Sequence, residues 1–324
     1  MKLIVSNSRQ DHVALDTVRE FEKAILEDVV IRPESGFGEL ASGAAYGAFK
    51  LSGRLGWNVG ASRGLVKMMS RAPRDYFAVL MGPTFRKCLP YFSFPGRKAI
   101  YLFDAWPDAH DAIVRFVEQF GVDRVFVSSA QAAASLNARW QHTHCWWVPE
   151  GLDPSAYRAL PPEERDVDVL AMGRRYDVYH SQIVEPLRRD GRHYLYEVKK
   201  GQVIFPARSA FIDGLARSKI SICVPSSITH PLRAGGISTM TVRYLQSMAA
   251  KCLIVGKAPA ELIELFGYNP LIEIDDTDPS GQLLRLLREY PNHQPLIDRN
   301  HAVLLGSHTW RHRWQQVAEL MALG

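Results

Sequence analysis

The sequence predicts an α/β protein built from two successive halves, each a parallel sheet covered by helices. Strands and helices alternate along the chain, the 324 residues suit two domains of about 150 residues, and 47% hydrophobic residues can fill two cores. The clearest unit is VRYLQSMAAKCLIVG, residues 242–256, where a helix leads almost directly into a buried strand.

The first half shows this alternation from its first residues. The predicted strands are 2–6, 76–81, 98–103, 125–128 and 145–148, and the predicted helices are 13–26, 109–120 and 130–139. Residues 33–64 are rich in Gly, Ser and Ala and are compatible with helical pieces or with a mobile acceptor-side loop.

A domain boundary is predicted near residue 150, because residues 149–175 contain four prolines and a charged stretch before a new apolar strand begins. The predicted domains are therefore 1–150 and 151–324. The second contains predicted strands 167–172, 194–198, 221–225, 252–255 and 271–274, and predicted helices 181–189, 210–218, 261–266, one opening at residue 242 and one over about 308–322.

The net charge of +5 is a mild excess that could favour an anionic nucleotide, a nucleic acid or an acidic membrane face. The basic residues are dispersed, so nucleic-acid binding is not required. Peripheral contact with an anionic bilayer is compatible with a group of basic residues in the first half, although a solvated basic face is the plainer interpretation. This group is Arg54, Arg63, Lys67, Arg71 and Arg74.

Four cysteines lie far apart without CxxC spacing, which favours buried free thiols in a reducing cytosol over a disulfide or zinc framework. No apolar run reaches the about 18 residues of a spanning helix, and the first residues become polar too soon for a signal peptide. We therefore expect a soluble cytoplasmic enzyme whose oligomeric state is open.

The segment THPLRAGGIST, residues 229–239, joins a strand to the helix at residue 242. Gly235 and Gly236 in this segment allow the backbone to approach a ligand closely. A helix N-terminus that opens at the carboxyl end of a strand suits a diphosphate.

Several motifs of the second half resemble group 1 glycosyltransferases. VPEGLDPSAY is similar to their interdomain segment, and DVDVLAMGRR is similar to their first carboxy-terminal strand and glycine turn. RYLQSMAAKCLIVG resembles the R-x-FE-x-x-A-x-G pattern of the spore-maturation-protein (CgeB)-like subgroup, and SHTWRHRWQQV resembles its closing helix. The matches cover most of residues 147–324, whereas the first half matches only in strand rhythm and in the FDAWPD loop.

This resemblance implies a GT-B fold, which has two facing Rossmann-like domains, a cleft between them and a last helix that crosses back to the first. It implies transfer of a sugar from a nucleoside diphosphate donor, held mainly by the second domain, to a glycan, lipid-linked, protein or small-molecule acceptor. It implies no obligatory metal and no cofactor, since helix dipoles and basic side chains would neutralise the leaving diphosphate.

The implied donor site lies around the glycine turn and the helix at residue 242. Its candidate residues are Gly173, Arg174, Arg175, His230, Gly235, Gly236, Thr239, Thr241, Arg243 and Gln246. Guanidinium groups can hold phosphate oxygens at two points, although surface arginines without a ligand remain an alternative. For the threonines helix capping is the safer interpretation, and for His230 an ordinary loop histidine is the alternative to a ligand contact.

Three positions depart from the family pattern. Gln246 stands where the family has a glutamate that contacts the donor ribose, and Lys251 stands where it has a glycine. Ser238 occupies the place of the other glutamate of the E-x7-E motif. An amide can still bond two adjacent hydroxyls, but without the strength of a charged carboxylate.

Catalysis could use the loop FDAWPDAHD, which offers Asp104, Asp108 and His110 beyond a strand end in the first half. Asp104 is the first choice as base or acceptor-positioning group, against an ordinary cap or strand-end carboxylate. Asp11 and His12 are weaker candidates, with helix capping favoured for Asp11. Trp106 could form a platform for a sugar ring, although tryptophans at such junctions are more often core residues.

No metal site is predicted, because His142, His144 and Cys145 lack a fourth ligand nearby. Two alternatives to the transferase remain open. One is a GT-B protein that binds nucleotide sugars without catalysis, and the other is a sugar-nucleotide epimerase with the same two-half rhythm.

Overall fold

The computed structural model describes residues 3–5, 15–26, 36–55, 75–89, 91–93, 96–140, 143–173, 175–199 and 203–322. The described strands are β1 (Leu3–Val5), β2 (Asp75–Leu80), β3 (Lys98–Leu102), β4 (Arg124–Val127), β5 (His144–Trp147), β6 (Val167–Ala171), β7 (Tyr194–Tyr196), β8 (Ser218–Cys223), β9 (Leu253–Gly256) and β10 (Ile272–Glu273). The described α-helices are α1 (Asp16–Leu26), α2 (Gly36–Leu55), α3 (His110–Phe120), α4 (Ala130–Asn137), α5 (Asp177–Arg189), α6 (Arg208–Ala216), α7 (Ser226–Thr229), α8 (Pro231–Ala234), α9 (Val242–Ala249), α10 (Ala260–Phe266), α11 (Pro279–Arg288), α12 (Gln294–Ser307) and α13 (Trp310–Ala322).

The chain divides into two compact units, one of Met1–Pro149 with Arg313–Gly324 and one of Glu150–His312. In the first unit the described strands form a parallel sheet in the order β1-β2-β3-β4-β5. All of β3 and all of β2 after its first residue are buried, as expected for a parallel sheet with both faces covered.

Aromatic side chains fill the core of the first unit. The rings of Phe85 and Phe116 stack with centroids 4.1 Å apart, and Phe49 of α2 meets Phe116 edge-on at 5.6 Å. Trp314 of α13 packs against Phe77 of β2 at 5.6 Å. These contacts anchor α2 to α3, and they anchor α13 to the first sheet.

The second unit has a parallel sheet in the order β10-β9-β8-β6-β7. The chain runs from β6 outwards to β7 and then returns to place β8 on the other side of β6, so the direction of winding reverses between β6 and β8. In open α/β sheets such a reversal leaves a crevice at the carboxyl ends of the two strands, where ligands bind.

Most predicted elements are present, with boundaries that shift by a few residues. The helix predicted at 181–189 begins at Asp177, and the strand predicted at 194–198 ends at Tyr196. Residues 33–64, for which the sequence is compatible with helical pieces or a loop, contain the helix Gly36–Leu55. Four helices were not predicted, namely α7, α8, α11 and α12. All four cysteines are buried free thiols, as predicted.

Candidate functional site

The reversal between β6 and β8 brings two chain segments to one edge of the second sheet. Val169 pairs with Ile220 and Leu170 with Ser221, so both strands end at this edge. β6 continues into Met172 and Gly173, whereas β8 continues into Pro225 and helix α7. The predicted glycine turn therefore lies at the topological switch point.

Arg243 lies directly against this turn. Gly173 has a φ of 72°, and a Cβ added there would lie 3.0 Å from Cζ and 3.2 Å from Nη1 of Arg243. Arg243 Nη1 also donates to the carbonyl oxygen of Met172 at 3.4 Å. No described carboxylate lies within ion-pair distance of this guanidinium, which therefore remains able to bind an anion.

The N-terminus of helix α9, next to Arg243, carries the unsatisfied hydroxyl of Thr241. Thr241 occupies the N-cap position, yet its side chain makes no capping hydrogen bond. Its Oγ1 is buried and has no hydrogen-bond partner among the described residues. A buried polar atom without a partner is uncommon, and at a helix N-terminus the backbone N–H groups favour an anion beside it.

The loop before α9 is fixed by a residue that was not among the sequence candidates. Glu261 of α10 is 6% exposed and accepts hydrogen bonds from Thr239 Oγ1 and from the backbone N–H of Met240. Neither threonine makes a capping hydrogen bond among the described residues, since Thr239 bonds Glu261 and Thr241, although at the N-cap position, bonds nothing described. In the sequence Glu261 resembles any acid in a first helical turn, so nothing there distinguishes it.

Gly235 and Gly236 have φ values of 55° and 90°, in the left-handed region that favours glycine. Gly235 ends helix α8, and a Cβ added at Gly236 would meet no atom within 4 Å. The backbone of Gly236 is therefore exposed, with free space on the side where a side chain would lie. His230 precedes it, is exposed, and contacts Thr229 Oγ1 through Nδ1 at 3.1 Å.

Gln246 lies one turn into α9 from Arg243 and is 9% exposed. Its Nε2 donates to the hydroxyl of Tyr157 at 3.1 Å. Lys251, another of the three departures, has a φ of 54° and is the one described non-glycine residue with positive φ. The glycine of the family pattern thus marks a left-handed position that ends the helix.

Arg175 is held by its own unit. Its Nε donates to Asp177 at 2.7 Å and its Nη1 donates to the carbonyl oxygen of Glu197 at 2.9 Å. The bond to Asp177 also raises the pKa of this guanidinium. These bonds tie the start of α5 to the end of β7. Arg174 lies outside the described residues.

In the first unit, Asp104 follows β3 and is half-buried. A Cβ added at Gly82 would lie 3.4 Å from the carbonyl oxygen of Asp104, so the segments that follow β2 and β3 are neighbours. Asp108 is exposed in the 3-10 helix Pro107–Ala109. Asp11, His12 and His142 lie outside the described residues.

His110 is buried and hydrogen-bonded at both ring nitrogens. It is 3% exposed, its Nε2–H donates to the carbonyl oxygen of Ala105 at 3.1 Å, and its Nδ1 lies 3.2 Å from Ser135 Oγ. Burial lowers its pKa. Both ring nitrogens are therefore engaged within the unit, and the burial of this side chain favours a structural role for His110 over a catalytic one. Trp106 is 6% exposed and belongs to the buried residues rather than to an open platform.

Within the described part of the chain, no group of three or more His, Cys, Asp or Glu side chains is arranged to hold a metal ion. None of the described helices combines the length and apolar character needed to cross a bilayer.

The two units and their sheets define the GT-B fold class, and comparison with solved structures confirms it. HepE from Anabaena, solved with UDP and glucose, superposes with a TM-score of 0.61 at 10% identity over 99% of this chain and 98% of that one. Sucrose-phosphate synthase from Thermosynechococcus elongatus gives 0.59 at 9% identity over 100% and 99%. A glycosyltransferase from Rickettsia africae gives 0.56 at 10% identity over 98% and 96%. No family model and no curated protein matches the sequence.

Proposed function

We propose that the second unit binds a nucleoside diphosphate sugar at the switch point and that the protein transfers the sugar to an acceptor. The observation that carries this proposal is the Arg243 guanidinium against the Gly173 turn, without a described carboxylate partner. The unsatisfied hydroxyl of Thr241 at the adjacent helix start supports the same ligand. Together they supply a cation, an O–H donor and backbone N–H groups for a diphosphate.

UDP is the first nucleotide to test, since HepE has been solved with UDP and with UDP-glucose. Arg243→Ala should weaken UDP binding about tenfold or more, because a hydrogen bond to a charged group contributes roughly 1.5–3 kcal/mol. Isothermal titration calorimetry measures this directly. Arg188→Ala is a matched control, since Arg188 is an exposed arginine of the same unit that pairs with Glu185. Equal UDP affinities of wild type and Arg243→Ala would refute the site.

For the chemical step we propose Asp104 as the base or acceptor-positioning carboxylate. Support comes from its position directly after β3 in the first unit, because ligands of parallel sheets bind at the carboxyl ends of the strands. Asp104→Asn should depress turnover of UDP-glucose at least tenfold and leave UDP affinity within twofold, as removing a general base costs about 10²–10⁴ in rate. Asp108→Asn, an exposed neighbour, separates the two candidates. Near-normal turnover of Asp104→Asn would remove it from the mechanism.

We further propose that transfer needs no divalent metal, because Arg243 and the α9 N-terminus can neutralise a leaving diphosphate. EDTA should then leave turnover within about twofold, given that these groups stay in place. A complete loss that Mg²⁺ or Mn²⁺ restores would contradict this mechanism. The CgeB-like subgroup remains part of the proposal, on the motif of α9 and the closing helix.

A second candidate is a protein that binds nucleotide sugars without transferring them. It is favoured by Gln246, which takes the place of the family glutamate and bonds Tyr157. Saturable UDP binding together with no detectable hydrolysis or transfer over a panel of nucleotide sugars would select this candidate over the transferase.

A cytoplasmic setting is proposed from the four buried free thiols, which suit a reducing compartment. Peripheral membrane contact stays a prediction. Its basic residues, Arg54, Arg63, Lys67, Arg71 and Arg74, lie outside the residues whose side chains the structure describes.

A further inference from the structure

The second unit contains a cavity of about 750 Å³ that shares no lining residue with the candidate donor site. Its walls come from the segment around residues 154–165, from the C-terminal end of α9, and from Tyr290 with helix α12. Prolines, alanines and leucines supply much of the lining. The size is within the range of small-molecule sites, and apolar walls with a few polar groups are typical of them.

Arg165 places a buried positive charge in this wall. The residue is 4% exposed and its guanidinium donates to the carbonyl oxygens of Leu160, Ser218 and Ala250 and to Cys252 Sγ. These four bonds leave one of the roughly five N–H groups of an arginine without a described partner. No described carboxylate neutralises the charge, although buried arginines are seldom left without an acidic partner.

The remaining polar groups of the wall do not cancel this charge. None of the lining residues is acidic. Lys251 is already paired with Asp298 at 2.8 Å. Burial, helped by the charge of Lys251, lowers the pKa of His301, so this histidine is neutral at pH 7. Burial raises the pKa of Tyr290 to about 12, so its hydroxyl stays a donor.

We propose that this cavity binds a small organic anion that carries one phosphate or carboxylate group on an apolar body. The anionic group would accept the remaining N–H of Arg165 and the Tyr290 hydroxyl, and the apolar body would cover Leu160, Pro161 and Leu305. An arginine that only ties the end of α9 to neighbouring carbonyls would need neither the cavity nor the apolar walls. The proposal does not require that the switch point bind a nucleotide, although Tyr157 of the cavity wall bonds Gln246 of the candidate donor site.

The test uses the full chain with n-hexyl phosphate as the probe. Calorimetry should show saturable binding of one probe molecule per chain, with inorganic phosphate and 1-hexanol each at least about fivefold weaker, because each lacks half of the recognised chemistry. Ala159→Trp places a large ring in the cavity from an exposed lining position, and should weaken the probe at least about tenfold by excluding it. Ala302→Trp, an exposed residue of α12 outside the lining, is the matched control and should bind as wild type does.

Two further measurements keep the proposal falsifiable. Arg165→Met, if its thermal unfolding shows that it folds, should lose probe binding, and Ala159→Trp decides the matter if it does not fold. Saturating UDP should leave probe affinity unchanged. Absence of binding to wild type, unaltered binding to Ala159→Trp, equal affinity for 1-hexanol, or competition with UDP would each overturn the proposal.

Discussion

At the scale of single residues, the Gly173 turn and Arg243 form the part of the candidate site that can be tested most cleanly. Gly173→Ala puts a methyl group 3.0 Å from Arg243 Cζ at a φ of 72°. The guanidinium must shift by a few tenths of an ångström, so UDP affinity should fall by about two- to tenfold, less than the roughly 1.5–3 kcal/mol that losing the charged donor altogether would cost.

Gly191→Ala is the matched control for this change. Gly191 has a φ of 71°, but an added Cβ would meet no atom within 4 Å. Both variants should lose about 1–2 kcal/mol of stability from backbone strain. Only Gly173→Ala should lose UDP affinity in calorimetry, and an equal loss in both would show that displacement of Arg243 is not its cause.

Gln246→Glu restores the residue type of the family pattern. The hydroxyl of Tyr157, which now accepts from the amide, can rotate and donate to a carboxylate, so the contact at 3.1 Å is retained. If position 246 meets the donor ribose, UDP affinity should rise severalfold while 5′-diphosphate analogues lacking the ribose hydroxyls gain nothing. An unchanged UDP affinity would separate position 246 from the donor.

His110 makes acid stability a further test. Burial lowers its pKa below the unfolded value of about 6.5, so between these two pKa values the unfolded chain binds more protons. The free energy of unfolding should therefore fall as the pH drops below about 6.5. His110→Asn cannot titrate and should lose less stability between pH 7.5 and 5.5 in urea denaturation. A constant difference between the two proteins over this range would contradict the assignment.

The sequence identified part of the candidate site and missed part of it for physical reasons. The glycine turn and Arg243 can be predicted from the sequence because each lies in a local motif, DVDVLAMGRR for the turn and RYLQSMAAKCLIVG for Arg243. The hydrogen bond between His110 and Ser135 joins residues 25 positions apart, and that between Thr239 and Glu261 joins residues 22 positions apart. Local propensity carries no information about such partners, so capping was favoured where a buried carboxylate competes.

At the scale of elements, helix α9 ends in a Schellman motif that carries a lysine instead of a glycine. The N–H of Cys252 donates to Ser247 O at 2.9 Å and the N–H of Lys251 to Met248 O at 3.0 Å. Lys251 must therefore keep its φ of 54°, which is strained for a residue with a Cβ.

Lys251→Gly should relieve this strain. Lys251→Ala is its control, because both variants lose the ion pair with Asp298 and only the alanine variant keeps a Cβ. The glycine variant should be about 1 kcal/mol more stable than the alanine variant in urea denaturation. Equal stabilities would show that the positive φ carries no cost at this position.

The predicted elements were most accurate where buried strands follow helices, because both periodicities are strong there. The sequence does not decide between helix and loop for α2 because the glycines of this segment weaken helix propensity, and in the structure the packing of Phe49 on Phe116 compensates for this weakness. α11 was missed although Asp278 and Pro279 mark its start, where the Asp278 carboxylate accepts from Gly281 N–H at 3.0 Å.

At the scale of the whole molecule, helix α13 spans the division between the two units. Trp310 donates its backbone N–H to Leu152 O at 3.0 Å within the second unit. Residues from Arg313 onwards belong to the first unit, where Trp314 packs on Phe77. The end of the chain is thus part of the core of the unit with which the chain begins.

A pair of truncations tests this division. Trp314→Ala removes a side chain that is 7% exposed and should destabilise the first unit by about 3–5 kcal/mol. Leu304→Ala, at a fully buried position of α12, should cost the second unit about 2–5 kcal/mol. In hydrogen exchange, Trp314→Ala should speed exchange in β2 and β3 and spare β8 and β9, and Leu304→Ala should do the reverse. Faster exchange of all four strands in both variants would mean that the two units unfold as one cooperative body. Helix α13 would then not stabilise the first unit selectively.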